Sequence, residues 1–130
     1  MTKKKVTAKV LSQKKIGPDI YDLWMNTELA ETARPGQFVC VYPKDKSALL
    51  GRPISICEVI PTESMMRLVY RKVGKGTGEF ATLNTGDTVE LLGNLGNGFP
   101  ADLAKGKKVF LIGGGVGIPP MVQLAKTIQG

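Results

Sequence analysis

The chain contains no histidine and only two cysteines, Cys40 and Cys57. The first absence removes Ser-His-Asp and Cys-His catalysis, histidine-ligated metals and imidazole general bases. The second excludes a four-cysteine zinc or iron–sulfur centre within one chain, and also a disulfide framework. Reduced thiols in a cytosolic setting are the simpler reading. Aromatic residues make up only 6% of the chain, and few stand beside basic residues, so stacking platforms for nucleic acid are scarce. There is no long apolar run, and the start, MTKKKVTAKVLSQ, alternates where a signal peptide would be apolar. No membrane span or secretory leader is expected, and the protein is expected to be soluble and cytoplasmic.

The 130 residues are 42% apolar, which suits one domain with a core. Eighteen basic residues against eleven acidic give a net charge of +7. That balance favours an anionic partner, whether nucleic acid, a phosphate-bearing cofactor or an acidic protein surface, and does not choose among them. The six lysines before Asp19 keep a nucleic-acid-binding domain open as an alternative. A solvated strand face is the simpler reading of them.

Period-2 alternation dominates the first half. Val6, Ala8, Val10 and Leu11 mark a first strand, Ile20 to Met25 a second, and Phe38 to Tyr42 a third. Ile54 to Ile60, Met65 to Val73 and Thr88 to Leu92 complete six. Turn signals separate them: Ile16-Gly17-Pro18-Asp19, Pro35-Gly36 with type II chemistry, and Pro61 to Ser64. Short strands so punctuated predict an antiparallel barrel or sandwich. The last part changes type. Val109 to Ile112 is a continuous apolar run suited to a buried parallel strand. Gly113 to Gly117 follows, then Met121, Val122, Leu124, Ala125 and Ile128 at helical spacing. Pro119 or Pro120 is tolerable in the first turn of that helix. This is the strand–loop–helix opening of a dinucleotide-binding domain.

Three constellations carry chemistry. The first is Gly51-Arg52-Pro53-Ile54-Ser55-Ile56. Its arginine fork matches paired phosphate oxygens, and Pro53 belongs at a strand start or edge. The second is Tyr70 to Phe80, a strand ending in a basic glycine loop with Arg71, Lys72, Lys75, Gly76 and Thr77. A short helix is expected from Glu79, with Thr77 as its cap, and freed N–H groups there would suit an anion. The third is Gly113 to Gly117, where glycines allow close approach of a pyrophosphate, although Pro119-Pro120 breaks the full G-x-G-x-x-G pattern. Taken singly, each also reads as an exposed arginine, a capped turn or plain turn chemistry.

In this order the motifs resemble those of the ferredoxin-reductase-like flavoproteins. Within them the chain is similar to electron-transfer subunits of class 1B dihydroorotate dehydrogenases. Gly51 to Ile56 resembles the family's Arg-x-Tyr/Ile-Ser flavin motif. Tyr70-Arg71 with Gly74-Lys75-Gly76-Thr77 resembles its second flavin segment. Gly93-Asn94-Leu95-Gly96-Asn97-Gly98-Phe99 resembles the segment that closes its β-domain, with Asn94 in place of a proline. Gly113 to Gly117 with Pro120 resembles its nucleotide-domain motif. Subunits of sulfide dehydrogenase and ferredoxin:NADP oxidoreductase carry similar motifs and remain the alternative.

The resemblance implies a mainly β fold. A six-stranded antiparallel FAD-binding barrel over residues 1–100 would be followed by the start of an NAD(P)-binding domain over 101–130. Arg52 would pair with a flavin phosphate, with Pro53 and Ile54 beside it and Ser55 near the reactive edge of the ring. Val69, Tyr70 and Arg71 would line the flavin, Gly76 and Thr77 would bind its pyrophosphate, and Gly114, Gly115 and Gly117 would approach that of NAD(H). No residue is expected to be catalytic or to ligate a metal. The family's complete nucleotide domain and [2Fe-2S] cysteines are not in this sequence. The chain therefore reads as the N-terminal part of a longer protein, inactive alone in NADH-to-acceptor transfer. Its partner would be a catalytic dihydroorotate dehydrogenase subunit in pyrimidine biosynthesis, with neither nucleic acid nor membrane. Self-association, or poor order from about residue 107 onward, is expected because an apolar strand would lack its neighbours.

Overall fold

A computed structural model describes residues 4–44, 51–114 and 118–129. The strands are β1 (Lys4–Gly17), β2 (Ile20–Asn26), β3 (Phe38–Tyr42), β4 (Arg52–Ile60), β5 (Met65–Arg71) and β6 (Thr88–Leu95). Two helices, α1 (Lys75–Phe80) and α2 (Pro119–Gln129), follow β5 and β6 respectively. The strands close into an antiparallel barrel in the order β1-β2-β5-β4-β3-β6. Closure depends on the length of β1. Lys4 to Lys9 pair with β6, and Lys9 to Gly17 pair with β2. A register shift between Val10 and Ser12 lets one strand bend to serve both neighbours.

The barrel interior is the inward half of the alternation read in the sequence. Ala8, Val10, Leu23, Met25, Val39, Val41, Ile54, Ile56, Met66, Leu68, Val89 and Leu91 form one buried cluster. Phe80 of α1 joins this cluster, as do Leu29 and Ala30 from a 3-10 turn. The turns behave as their residues require. Asp19 adopts φ 57° and Gly36 adopts φ 89°, both left-handed positions of the kind type II chemistry demands. A Cβ on Gly36 would also meet Phe99 at 2.8 Å. The glycine-rich segment after β6 is therefore a packing device. Phe99 N–H donates to the Pro35 carbonyl at 2.7 Å, and the Gln37 amide donates to the Gly96 carbonyl at 2.9 Å.

Strand β4 changes partner midway. Arg52 to Ser55 pair with β3, whereas Ile56 to Ile60 pair with β5. Each half therefore has one open side. On the Ile56–Ile60 half α2 packs against β4. There the Gln123 side chain accepts the Val59 N–H at 2.9 Å, and Lys126 pairs with Glu58 at 2.8 Å. This protects backbone that a bare strand edge would expose. The open side of the other half is the site described below.

Four expectations change. Strand β5 ends at Arg71, two residues short of the expected Val73. The helix after β5 begins at Lys75, not Glu79, because Gly74 supplies the extended N-cap. Strand β6 runs three residues past Leu92, to Leu95. The run Val109 to Ile112 forms no strand. A parallel strand needs neighbours, and the barrel has already paired all six of its own. Phe110 is left 82% exposed and Ile112 90%. The helix after this run does form, and Pro119 opens it as its ring geometry allows.

Candidate functional site

Pairing between β4 and β5 stops at Ile56 opposite Leu68. Beyond that rung the barrel seam opens into a cleft of about 200 Å³, lined by Pro53, Ile54, Ser55, Val69, Tyr70 and Arg71. Five of the six residues come from the two motifs singled out in the sequence, and Val69 directly precedes the second of them. Each strand keeps its outer neighbour there. Arg52 still pairs with Val41, and Arg71 with Ile20. The cleft is thus held by a complete ladder on both sides while its own rim offers unpaired strand backbone. It is smaller than the roughly 300–1,000 Å³ of pockets that engulf a drug-sized ligand, so a ligand here lies along the seam. A larger hollow of about 410 Å³ between residues 101–107 and the end of α2 gathers none of the motif residues.

Charge divides by employment. Arg67 is committed to Asp22 at 2.7 Å and Glu58 at 3.3 Å, and it lies over the Trp24 ring. The Asp22 carboxylate holds its guanidinium above the ordinary arginine range. Arg52, Arg71 and Lys72 make no ion pair or side-chain hydrogen bond among the described residues. Arg71 and Lys72 are exposed at the end of β5; Arg52 is half-buried at the start of β4, next to the cleft and not in its lining. Gly51 brings β4 against the Tyr42 ring, which a Cβ there would meet at 3.0 Å.

Tyr70 does not offer its hydroxyl to the cleft. That group donates to Gln13 Oε1 at 2.6 Å. Its ring stacks on Tyr21 at 5.6 Å and meets the Phe80 ring edge-on at 6.4 Å. Burial pushes the phenol well above the usual tyrosine range, so it keeps its proton and serves as a hydrogen-bond donor. Tyr70 lines the cleft while its side chain is almost wholly buried.

The glycine loop is more internally bonded than its sequence suggests. Thr77 is buried, and its hydroxyl accepts the N–H groups of Val73 at 2.8 Å and Gly74 at 3.1 Å. Thr77 therefore sits at the third helical position and reaches back to the cap, instead of being the cap itself. Its role is to shape the loop. The first-turn N–H groups of residues 75–77 have no partner within a helix and remain the loop's donors. Gly76 lies in that turn; the Lys75 side chain lies outside the described residues. Gly114 is exposed, with nothing within 4 Å of an added Cβ. Gly115 and Gly117 lie outside the described residues.

Gln13 was not legible as a site residue. Strict alternation from Ala8 and Val10 would turn it outward. The register shift after Val10 reverses the phase, so Gln13 stands opposite buried Leu23. Among the described residues, no three or more His, Cys, Asp or Glu side chains group as a metal site, and no helix is long and apolar enough to cross a membrane.

A closed six-stranded antiparallel barrel with a helix after it is a fold this chain shares with ferredoxin-reductase-like structures. The structure of an NADH-dependent reduced ferredoxin–NADP oxidoreductase matches with a TM-score of 0.80 and 31% identity, over 94% of this chain and 44% of that one. An Amycolatopsis cytochrome P450 reductase matches at 0.82 and 30%, over 97% and 39%. In sequence, the curated homologues are electron transfer subunits of dihydroorotate dehydrogenase B (NAD(+)). Those of Streptococcus pneumoniae and Enterococcus faecalis are each 42% identical, over 95% and 99% of this chain. The chain spans about half the length of these relatives (48% and 50%). No protein-family model matches it.

Proposed function

We propose that this chain binds FAD along the β4–β5 seam and forms the flavin-holding part of an electron-transfer subunit. That subunit passes electrons between NAD(H) and a catalytic dihydroorotate dehydrogenase subunit in pyrimidine biosynthesis. One observation carries the reading. The seam opens where the two motifs meet, and the cations beside it, Arg52 and Arg71, have no partner among the described residues. A flat ring with a phosphate tail suits that donor set. Unpaired strand backbone and Tyr70 meet the ring, and guanidinium groups and first-turn N–H groups meet the phosphates.

Bound flavin supplies the redox chemistry. The chain's residues bind and orient it. Pro53, Ile54 and Val69 give apolar surface, and Ser55 offers a hydroxyl with no partner among the described residues. Arg52 and Arg71 place positive charge that favours an anionic, reduced ligand. Residues 1–100 are the flavin domain in this reading, and 101–130 open an NAD(P)-binding domain through Gly114, Gly115 and Gly117. We place no [2Fe-2S] centre on this chain, which has only two cysteines. The similarity to a ferredoxin–NADP oxidoreductase keeps a different NAD(P)H-linked reductase as the second reading.

Titration of the chain with FAD and, separately, with a single-stranded oligonucleotide tests the cofactor. Saturable quenching of flavin fluorescence without a salt-sensitive oligonucleotide shift is expected; the reverse would favour the nucleic-acid alternative. Copurification with a dihydroorotate dehydrogenase catalytic subunit, or with a different reductase core, then decides the acceptor. No NADH-to-dye turnover is expected from the 130 residues alone.

A further inference from the structure

From the hydrogen bonds around α1 we infer that Gln13 is a positioning residue. It locks the glycine-loop helix to the seam cleft, so that the ring half and the phosphate half of the ligand site act as one unit. The inference rests on the flavin reading above and extends it to a residue outside every motif.

Gln13 Nε2 donates to the carbonyls of Phe80 at 2.9 Å and Leu83 at 3.1 Å, at the end of α1. Its Oε1 accepts the Tyr70 hydroxyl at 2.6 Å. The amide can take only this orientation, because the opposite one would set an oxygen against two carbonyls. Tyr70 lines the cleft, and α1 begins with the glycine loop. One side chain on β1 therefore bonds directly to both halves. The edge-on contact of Tyr70 with Phe80 is a second tie between the same elements. Helix α1 has only six residues, too few to hold its place unaided. Phe80, fully buried, anchors its end, and Gln13 sets how that end is turned.

Glutamine suits this position on chemical grounds. The site needs one acceptor and two donors on a planar group, which neither a carboxylate nor an ammonium supplies. Gln13→Glu keeps an acceptor for Tyr70 and loses both donors to α1. Gln13→Leu loses all three bonds.

The test uses the full chain with three probes: FAD, riboflavin for the ring half and ADP for the phosphate half. In the unaltered chain ADP should tighten riboflavin binding. Gln13→Glu should keep riboflavin affinity, abolish that coupling and weaken FAD about tenfold, the loss of one or two hydrogen bonds. Gln13→Leu should weaken both riboflavin and FAD. A fall in melting temperature with an unchanged ratio of FAD to riboflavin affinity would make Gln13 merely structural and overturn the inference. Should the variants not fold, hydrogen exchange on the unaltered chain decides. Riboflavin, which does not reach the loop, should slow exchange at the Gly78 and Ala81 amides; no change there would overturn it. Failure of the unaltered chain to bind FAD would instead refute the flavin reading on which it rests.

Discussion

Arg67 and Arg52 are the same side chain in two environments, and they predict opposite phenotypes. Arg67 closes a network with Asp22 and Glu58, and through Glu58 with Lys126. Arg67→Ala should lower the melting temperature and leave FAD affinity unchanged. Arg52 has no such duty among the described residues. Arg52→Ala should weaken FAD by about ten- to a hundredfold, the effect of a charged hydrogen bond worth about 1.5–3 kcal/mol, with the melting temperature of the ligand-free protein unchanged. Calorimetric titration and thermal melts together separate the two. Glu58 adds a pH signature. The hydrogen bond from Lys126 is the largest cause holding its carboxyl below the ordinary range, with Arg67 contributing. Its folded pKa is depressed, so its contribution to stability is complete above the unfolded value of about 4.3 and is lost as pH falls through the folded one. Melts followed from neutral to acid pH should therefore show a steeper loss in the unaltered chain than in Lys126→Ala. Parallel curves would contradict the pairing.

At the scale of elements, the change of partner along β4 explains both of its flanks. One open side becomes the cleft, and the other is covered by α2. Gln123→Ala should speed hydrogen exchange at the Val59 amide, whose N–H it now accepts, with little effect across β1 and β6. Gly93→Ala tests the packing that closes the barrel end. Its Cβ would meet Val39 Cγ1 at 2.8 Å, and overpacking of that kind costs about 1–3 kcal/mol, readable as a lower denaturation midpoint. The strands were legible because period-2 alternation maps directly onto the two faces of a barrel wall. The motif residues Pro53 to Ser55 and Val69 to Arg71 were legible as two separate stretches. That they share one cleft was not, since it depends on where β4 leaves β3 for β5. Gln13 was hidden by the register shift after Val10, which no local pattern announces. The start of α1 was misplaced because Gly74, Gly76 and Gly78 read as loop, whereas Thr77 bonds back to Gly74 and the Gly78 N–H donates to the Gly74 carbonyl, closing a turn of helix. Val109 to Ile112 has the composition of a buried strand, but composition alone supplies no partner for it.

For the whole molecule, a closed barrel leaves its own strands paired and gathers exposed apolar surface in the later part of the chain. Val109, Phe110, Ile112 and Ile118 are all exposed. Concentration-dependent self-association should appear in sedimentation velocity and should diminish in a Phe110→Lys, Ile112→Lys double variant; a single monomeric boundary at all concentrations would count against it. The barrel itself should fold without that surface, because its core cluster draws on residues up to Leu91 and none beyond. The proposed flavin along the β4–β5 seam can be looked for directly. The direct measurement is the visible absorbance spectrum of the purified chain after incubation with FAD and desalting. Flavin absorbance should elute with the protein, and should move to the small-molecule fractions in Arg52→Ala. Flavin lost entirely from the unaltered, folded chain would contradict the proposal.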